Sequence, residues 1–185
     1  MCELDVSKRI DMITPEENLI LQSYITTSLL VELGNNNFFA SQYFESMNFG
    51  QPAIKEILRN QGIDNQGCAI MSLYAMLVVP YELIRTKHPS DFSSMNKMLL
   101  KNVRNVTTTY HDCASKSDFL YHLRNAVAHC RITFKDGDCM LFSDSNPSGK
   151  KQFQGELPLE QLSHFFHKLQ GIQLKVIKDV QSRKT

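Results

Sequence analysis

Apolar residues recur along most of this chain at steps of three and four, and at steps of two only in a short region around residue 135. Steps of three and four place side chains on one face of a helix, and steps of two place them on one face of a strand. The first helix is announced by Thr14-Pro15-Glu16-Glu17. A threonine oxygen caps the free backbone N–H groups, proline fits the first helical position, and the acids face the positive end of the helix dipole. Leu19, Ile20, Tyr24, Thr27, Leu30 and Val31 give this helix its apolar face, and Gly34 is expected to end it after Leu33. Past the Asn35-Asn36-Asn37 turn, Phe38, Phe39, Tyr43, Phe44 and Met47 predict a second helix that stops before Gly50. An aromatic stripe of this kind reads as core packing. Pro52 opens a shorter helix to about Asn60.

The stretch from Gly67 to Arg85 is apolar on nearly every side, which predicts a central buried helix that Pro80 kinks or ends. A helix from Asp91 to about Val106 follows, with Phe92, Met95, Leu99, Val103 and Val106 inward; the β-branched Thr107-Thr108-Thr109 ends it. The next helix runs from Ser117 to Cys130, capped by Ser117 or Asp118. Ile132, Phe134 and Leu141 then alternate around Lys135-Asp136-Gly137-Asp138, where Asp-Gly is a hairpin turn signal, and residues 151–156 can add a third short strand. The final helix starts at Leu157-Pro158-Leu159-Glu160 and turns Leu162, Phe165, Phe166, Leu169, Ile172, Val176 and Ile177 inward. The pattern predicts a mainly α fold: one domain over residues 1–185, a helical bundle with a small β-hairpin between the last two helices. Residues 1–13 form a polar leader and residues 181–185 a polar, fraying tail.

Composition narrows the function classes. A 42% hydrophobic content supports a real core and excludes a disordered chain. No run of eighteen apolar residues is present, so no membrane-spanning helix and no membrane partner are expected. The N-terminus lacks an apolar segment after its charges, which points to a cytoplasmic protein. The five cysteines, Cys2, Cys68, Cys113, Cys130 and Cys139, form no CxxC pair and read as reduced thiols, with Cys68 and Cys130 in apolar surroundings. A net charge of +1 without a basic tail argues against tight non-specific duplex binding, but leaves room for a local cleft that holds a few nucleotides. No metal-ligand spacing is present beyond His164 and His167, which lack a third ligand, and no cofactor is expected.

The chemically richest stretch is the helix from Ser117 to Cys130. Phe119, Leu123, Ala126 and Cys130 form an apolar stripe that Leu120 and Val127 widen, while Tyr121, His122, Arg124, Asn125 and His129 lie on the other side. Within it, Arg124-Asn125-Ala126-Val127-Ala128-His129 resembles the signature of the HEPN superfamily, an arginine followed by a polar residue and, a few positions on, a histidine. The apolar helix before this motif, and the strand-turn-strand and final helix after it, look like a plasmid-borne HEPN branch, so the resemblance covers most of the chain. A second match, Arg104-Asn105 with His111, is a poorer candidate because a threonine run makes a poor helix interior.

The resemblance implies a small helical bundle, a metal-independent endoribonuclease of a toxin–antitoxin or phage-defence system, and an antitoxin protein as a partner. Cleavage of RNA through its own 2′-OH needs an acid, a base and positive charge on the phosphate. His129 suits acid or base work, because histidine titrates near neutrality. Arg124 suits the phosphate, because its planar fork donates two parallel hydrogen bonds. Asn125 adds a hydrogen bond or orients a neighbour; His122 and Tyr121 are candidate RNA contacts, Tyr121 by stacking. Arg124 and His129 are separated by roughly 7.5 Å along a helix axis and about 140° around it, so one helix brings them together poorly. Two antiparallel copies at a two-fold axis gather both residues around one phosphate, and the resemblance likewise implies a homodimer with a composite cleft. Two other classes are compatible with the same residues: a non-catalytic HEPN-like module that binds RNA, nucleotide or a protein, and an antitoxin or immunity partner with a vestigial motif.

Overall fold

The structure is a computed structural model that describes residues 13–63, 65–112, 116–135 and 138–183. The leader up to residue 12, Cys113, the Asp136-Gly137 turn and the last two residues of the tail lie outside the described residues. The chain is mainly helical with a small antiparallel sheet.

Helix α1 (Pro15–Asn35) starts with a full capping box: the Thr14 hydroxyl accepts from the Glu17 N–H at 3.2 Å and the Glu17 carboxylate accepts from the Thr14 N–H at 3.1 Å. Gly34 does not end the helix as expected; it lies inside it, where a Cβ would stand 2.9 Å from Ile63. The aromatic stretch is also not one helix. A 3₁₀ turn (Phe38–Ala40) gives way to the short α2 (Gln42–Ser46), because the Ser41 hydroxyl takes the Phe44 N–H and starts a new helix. Helix α3 spans Pro52–Gln61.

The central apolar stretch is α4 (Gln66–Leu73), a π turn (Tyr74–Val78) and α5 (Val79–Ile84). The wider π turn directly precedes Pro80, whose missing N–H would leave a gap in a regular ladder. The helix therefore continues past Pro80 rather than ending. By length and composition, Gln66–Ile84 could cross a bilayer, with a mean hydropathy of 1.7. The eighteen-residue criterion applied to the bare sequence missed this. Here Leu73, Met76, Leu77, Tyr81 and Ile84 are core residues.

Helix α6 (Pro89–Asn102) ends four residues earlier than its apolar spacing suggests. The β-branched residues after it form strand β1 (Arg104–Thr108), which pairs with β4 (Gln152–Pro158), and Val106 is exposed. The extended state wins because β4 supplies ladder partners that the sequence alone does not reveal. With β2 (Ile132–Lys135) and β3 (Cys139–Ser145), the sheet has the order β1-β4-β3-β2, so a four-stranded sheet replaces the expected hairpin. Met140, Phe142 and Asp144 of β3 and Phe153, Gly155 and Leu157 of β4 point inward. Gly155 is a place where only hydrogen fits: a Cβ there would stand 2.6 Å from Val103. Helix α7 (Phe119–Ala128) packs against this sheet, α6 and the π turn, and α8 (Leu159–Ser182) packs along α1.

The described start of the tail, residues 181–183, is tied to the fold despite its polarity. Gln181 and Ser182 are helical, and the Arg183 guanidinium donates to the buried Glu17 carboxylate at 2.7 Å. Burial pushes Glu17 up, but hydrogen bonds from Arg183 and the Thr14 N–H outweigh it and hold the carboxyl below its ordinary range. Arg183→Ala removes the salt partner and leaves a buried carboxylate with its capping bond alone. It is expected to lower stability by about 1–3 kcal/mol, read as a fall in the midpoint of thermal unfolding.

Candidate active site

Helix α7 is fixed at both ends by its own sequence. The Asp118 carboxylate accepts from the Tyr121 N–H at 3.1 Å, and Asn96 of α6 clamps the same turn, accepting from the Leu120 N–H at 3.0 Å and donating to the Ser117 carbonyl at 2.9 Å. At the other end His129 is the C-cap and Cys130 takes a left-handed conformation, φ 53°. The Arg131 N–H reaches the Ala126 carbonyl at 2.8 Å and the Cys130 N–H reaches the Val127 carbonyl at 3.2 Å. This pair of bonds is a Schellman closure, which turns the chain from α7 into β2. It also swings Cys130 off the apolar stripe, so Cys130 is exposed rather than buried as expected.

The polar side of α7 is mostly not open to solvent. His122 has no accessible surface and Asn125 is buried, because the inner face of the sheet covers that flank. Asp144 of β3 receives both: the His122 Nδ1 lies 2.8 Å and the Asn125 Nδ2 3.1 Å from its Oδ2. A carboxylate can only accept, so Nδ1 of His122 carries a proton. Burial pushes Asp144 up, but the hydrogen bonds from His122 and Asn125, the adjacent imidazole and the Ser145 backbone outweigh it and hold the carboxyl below its ordinary range. The His122 ring stacks on Phe153 at 4.3 Å and meets Tyr110 at 4.7 Å. His122 is therefore a core histidine with no face for RNA, which corrects its expected position.

Asn125 passes this order on to Arg124. Its Oδ1 accepts from the Arg124 Nη1 at 2.6 Å, so both ends of the amide are used. The Arg124 Nη2 bonds the Glu82 carboxylate of α5, its guanidinium lies 5.7 Å from the Tyr81 ring centre, and its Nε is buried without a partner among the described residues. His129 is exposed, and among the described residues its imidazole has no hydrogen bond. Tyr121 is 39% exposed on the same helix, where a ring can stack on a base. The second Arg-Asn match falls on β1, where Asn105 has φ 50° and bonds Glu156 at 2.7 Å, away from any helix. Among the described residues no three His, Cys, Asp or Glu side chains converge to hold a metal ion, and His164 and His167 are both exposed on α8.

The family model described as HEPN pEK499 p136 matches residues 12–179. The chain belongs to that HEPN family. No curated protein and no solved structure matches it. In this HEPN domain the matched span includes every residue of the Arg124–His129 motif and the sheet, and most of α8. Three residues around the HEPN motif were not anticipated from the sequence: Asp144, Glu82 and Tyr81. Only Asp144 left a signal, as the third member of the inward series Met140, Phe142 and Asp144, where an aspartate stands at a position that calls for an apolar side chain.

Proposed function

We propose that this HEPN domain is a metal-independent endoribonuclease that cleaves single-stranded or loop RNA by 2′-OH transesterification, in the cytoplasm, in a toxin or defence system. His129 is the general acid or base, Arg124 holds the scissile phosphate, and Asn125 aims Arg124. The observation that carries this reading is the chain of bonds from the sheet through Asp144 and Asn125 to Arg124, on the same helix as a histidine whose imidazole is left open at the helix end. Such support fixes a charged fork within the tolerance that phosphate chemistry requires. In the resting protein Glu82 occupies Nη2 of Arg124, so the RNA phosphate takes its place on binding. The spacing of Arg124 and His129 favours a homodimer, in which a second α7 completes the cleft, and the family favours an antitoxin protein as the partner that restrains it.

The test is cleavage of a labelled mixed-sequence RNA in EDTA. Wild type is expected to cut and to leave 2′,3′-cyclic phosphate ends. Arg124→Ala is expected to lose about a hundredfold or more of that rate, the scale of a lost charge-stabilising donor. A chain that binds RNA and never cuts it supports the second reading, a non-catalytic RNA-, nucleotide- or protein-binding module. The Glu82 contact favours that alternative, because it neutralises the one guanidinium the reaction needs.

A further inference from the structure

Beside Arg124, and separate from the phosphate position, lies a cavity of about 540 Å³ between α5, α6 and the start of α7. Its size falls in the range of small-ligand pockets. Tyr81 belongs to both places: its ring carries the Arg124 guanidinium at 5.7 Å and it also lines the cavity. Tyr81 is 6% exposed and its hydroxyl is closed to solvent beside the Arg85 side chain, so the ring gives the cavity an apolar wall. Burial first and then the Asp118 carboxylate push this hydroxyl up, against the pull of Arg85 and Arg124, so it stays a neutral donor. The Arg85 guanidinium lies 4.7 Å from the centre of the same ring. Its Nη2 is 3.9 Å from the Asp118 Oδ2, too long for a hydrogen bond, so both groups retain capacity for another partner. Asn96 is held by its two bonds to α7, which makes that wall rigid.

We infer that this cavity seats one unpaired nucleobase of the RNA next to the phosphate at Arg124, and that it prefers guanine. The inference rests on RNA being the ligand of the motif. The chemistry of the wall supplies the preference. Guanine alone presents adjacent N1–H and N2–H donors, which suit a carboxylate, together with the O6 and N7 acceptors that suit arginine. Asp118 and Arg85, both on the wall of the cavity, offer that combination.

Calorimetric titration of the full chain with GMP, AMP, CMP and UMP tests this. GMP is expected to bind about tenfold more tightly than the other three, the size of one well-made base contact. Asp118→Asn keeps an equally good helix cap but replaces the carboxylate by an amide, and is expected to erase the preference at an unchanged melting temperature. Should Asp118→Asn fold poorly, Arg85→Gln asks the same question from the other side of the pocket. Equal binding of all four nucleotides, no binding of any, or a preference for GMP that survives these substitutions overturns the inference. Cleavage is scored separately. A chain that selects GMP but cuts no RNA keeps the pocket and loses the ribonuclease reading. A chain that cuts without base preference and ignores GMP keeps the ribonuclease and loses the pocket.

Discussion

His129→Ala is expected to lower the rate of RNA cleavage by about a hundred- to ten-thousandfold, the contribution of a positioned general acid or base, with no measurable change in stability. The second half of that expectation follows from where the residue sits. His129 is the C-cap of α7, and the bond that defines the cap runs from its backbone N–H to the Asn125 carbonyl at 3.0 Å. The Schellman closure at Ala126 and Val127 likewise uses only main chain. The imidazole is exposed and packs into no part of the core, so truncating it opens no cavity and strands no buried partner. A loss of cleavage at an unchanged melting temperature therefore reports chemistry. His122→Ala is the contrasting control: it removes a ring stacked on Phe153 and bonded to Asp144, and is expected to unfold the site rather than disable it selectively. If His129→Ala cuts RNA at the wild-type rate, the histidine is not the acid or base and the binding-module reading gains.

That contrast between two histidines on one helix shows what the sequence can and cannot say. Successive helical residues turn by about 100°, so His122, Asn125 and His129 share one flank of α7. Periodicity places them there correctly, beside the stripe of Leu123, Ala126 and Val127 that is buried as expected. It says nothing about what covers the flank. The sheet does, by way of Asp144, and it covers His122 and Asn125 while His129 lies at the helix end beyond its reach. Local signals were readable where the chemistry was local, as at the Thr14 and Asp118 caps, whereas Leu141, read as the apolar member of its strand, lies on the opposite face from the buried Met140 and Phe142. They failed where a distant segment decided. β1 is extended because β4, some fifty residues on, pairs with it. Glu82 and Tyr81 meet Arg124 through side chains that reach over from α5, a contact between residues some forty positions apart.

Asp144→Ala carries the largest expected effect on stability. One carboxylate oxygen accepts from both His122 and Asn125 in a place nearly closed to water. Removing it strands two buried donors, and breaking a buried, hydrogen-bonded pair in this way costs about 3–5 kcal/mol. For a chain of this size that is a fall of roughly 6–20 °C in the melting midpoint. Asp144→Asn retains one acceptor and the same shape, so it should fall between the two. The pH dependence separates charge from packing. Asp144 is held below its ordinary range in the folded protein, so the unfolded chain takes up a proton first as pH falls. The stability due to the ionised carboxylate is complete above about pH 4, where an ordinary aspartate is charged, and drains away as pH drops through the lowered folded value. The gap between wild type and Asp144→Asn should therefore be widest at neutral pH and narrow below about pH 4. An equal gap at pH 3 and pH 7, or a melting midpoint for Asp144→Ala within about 2 °C of wild type, removes Asp144 as the anchor. Arg124 and Asn125 would then need another support, and the case for an ordered phosphate site would weaken with it.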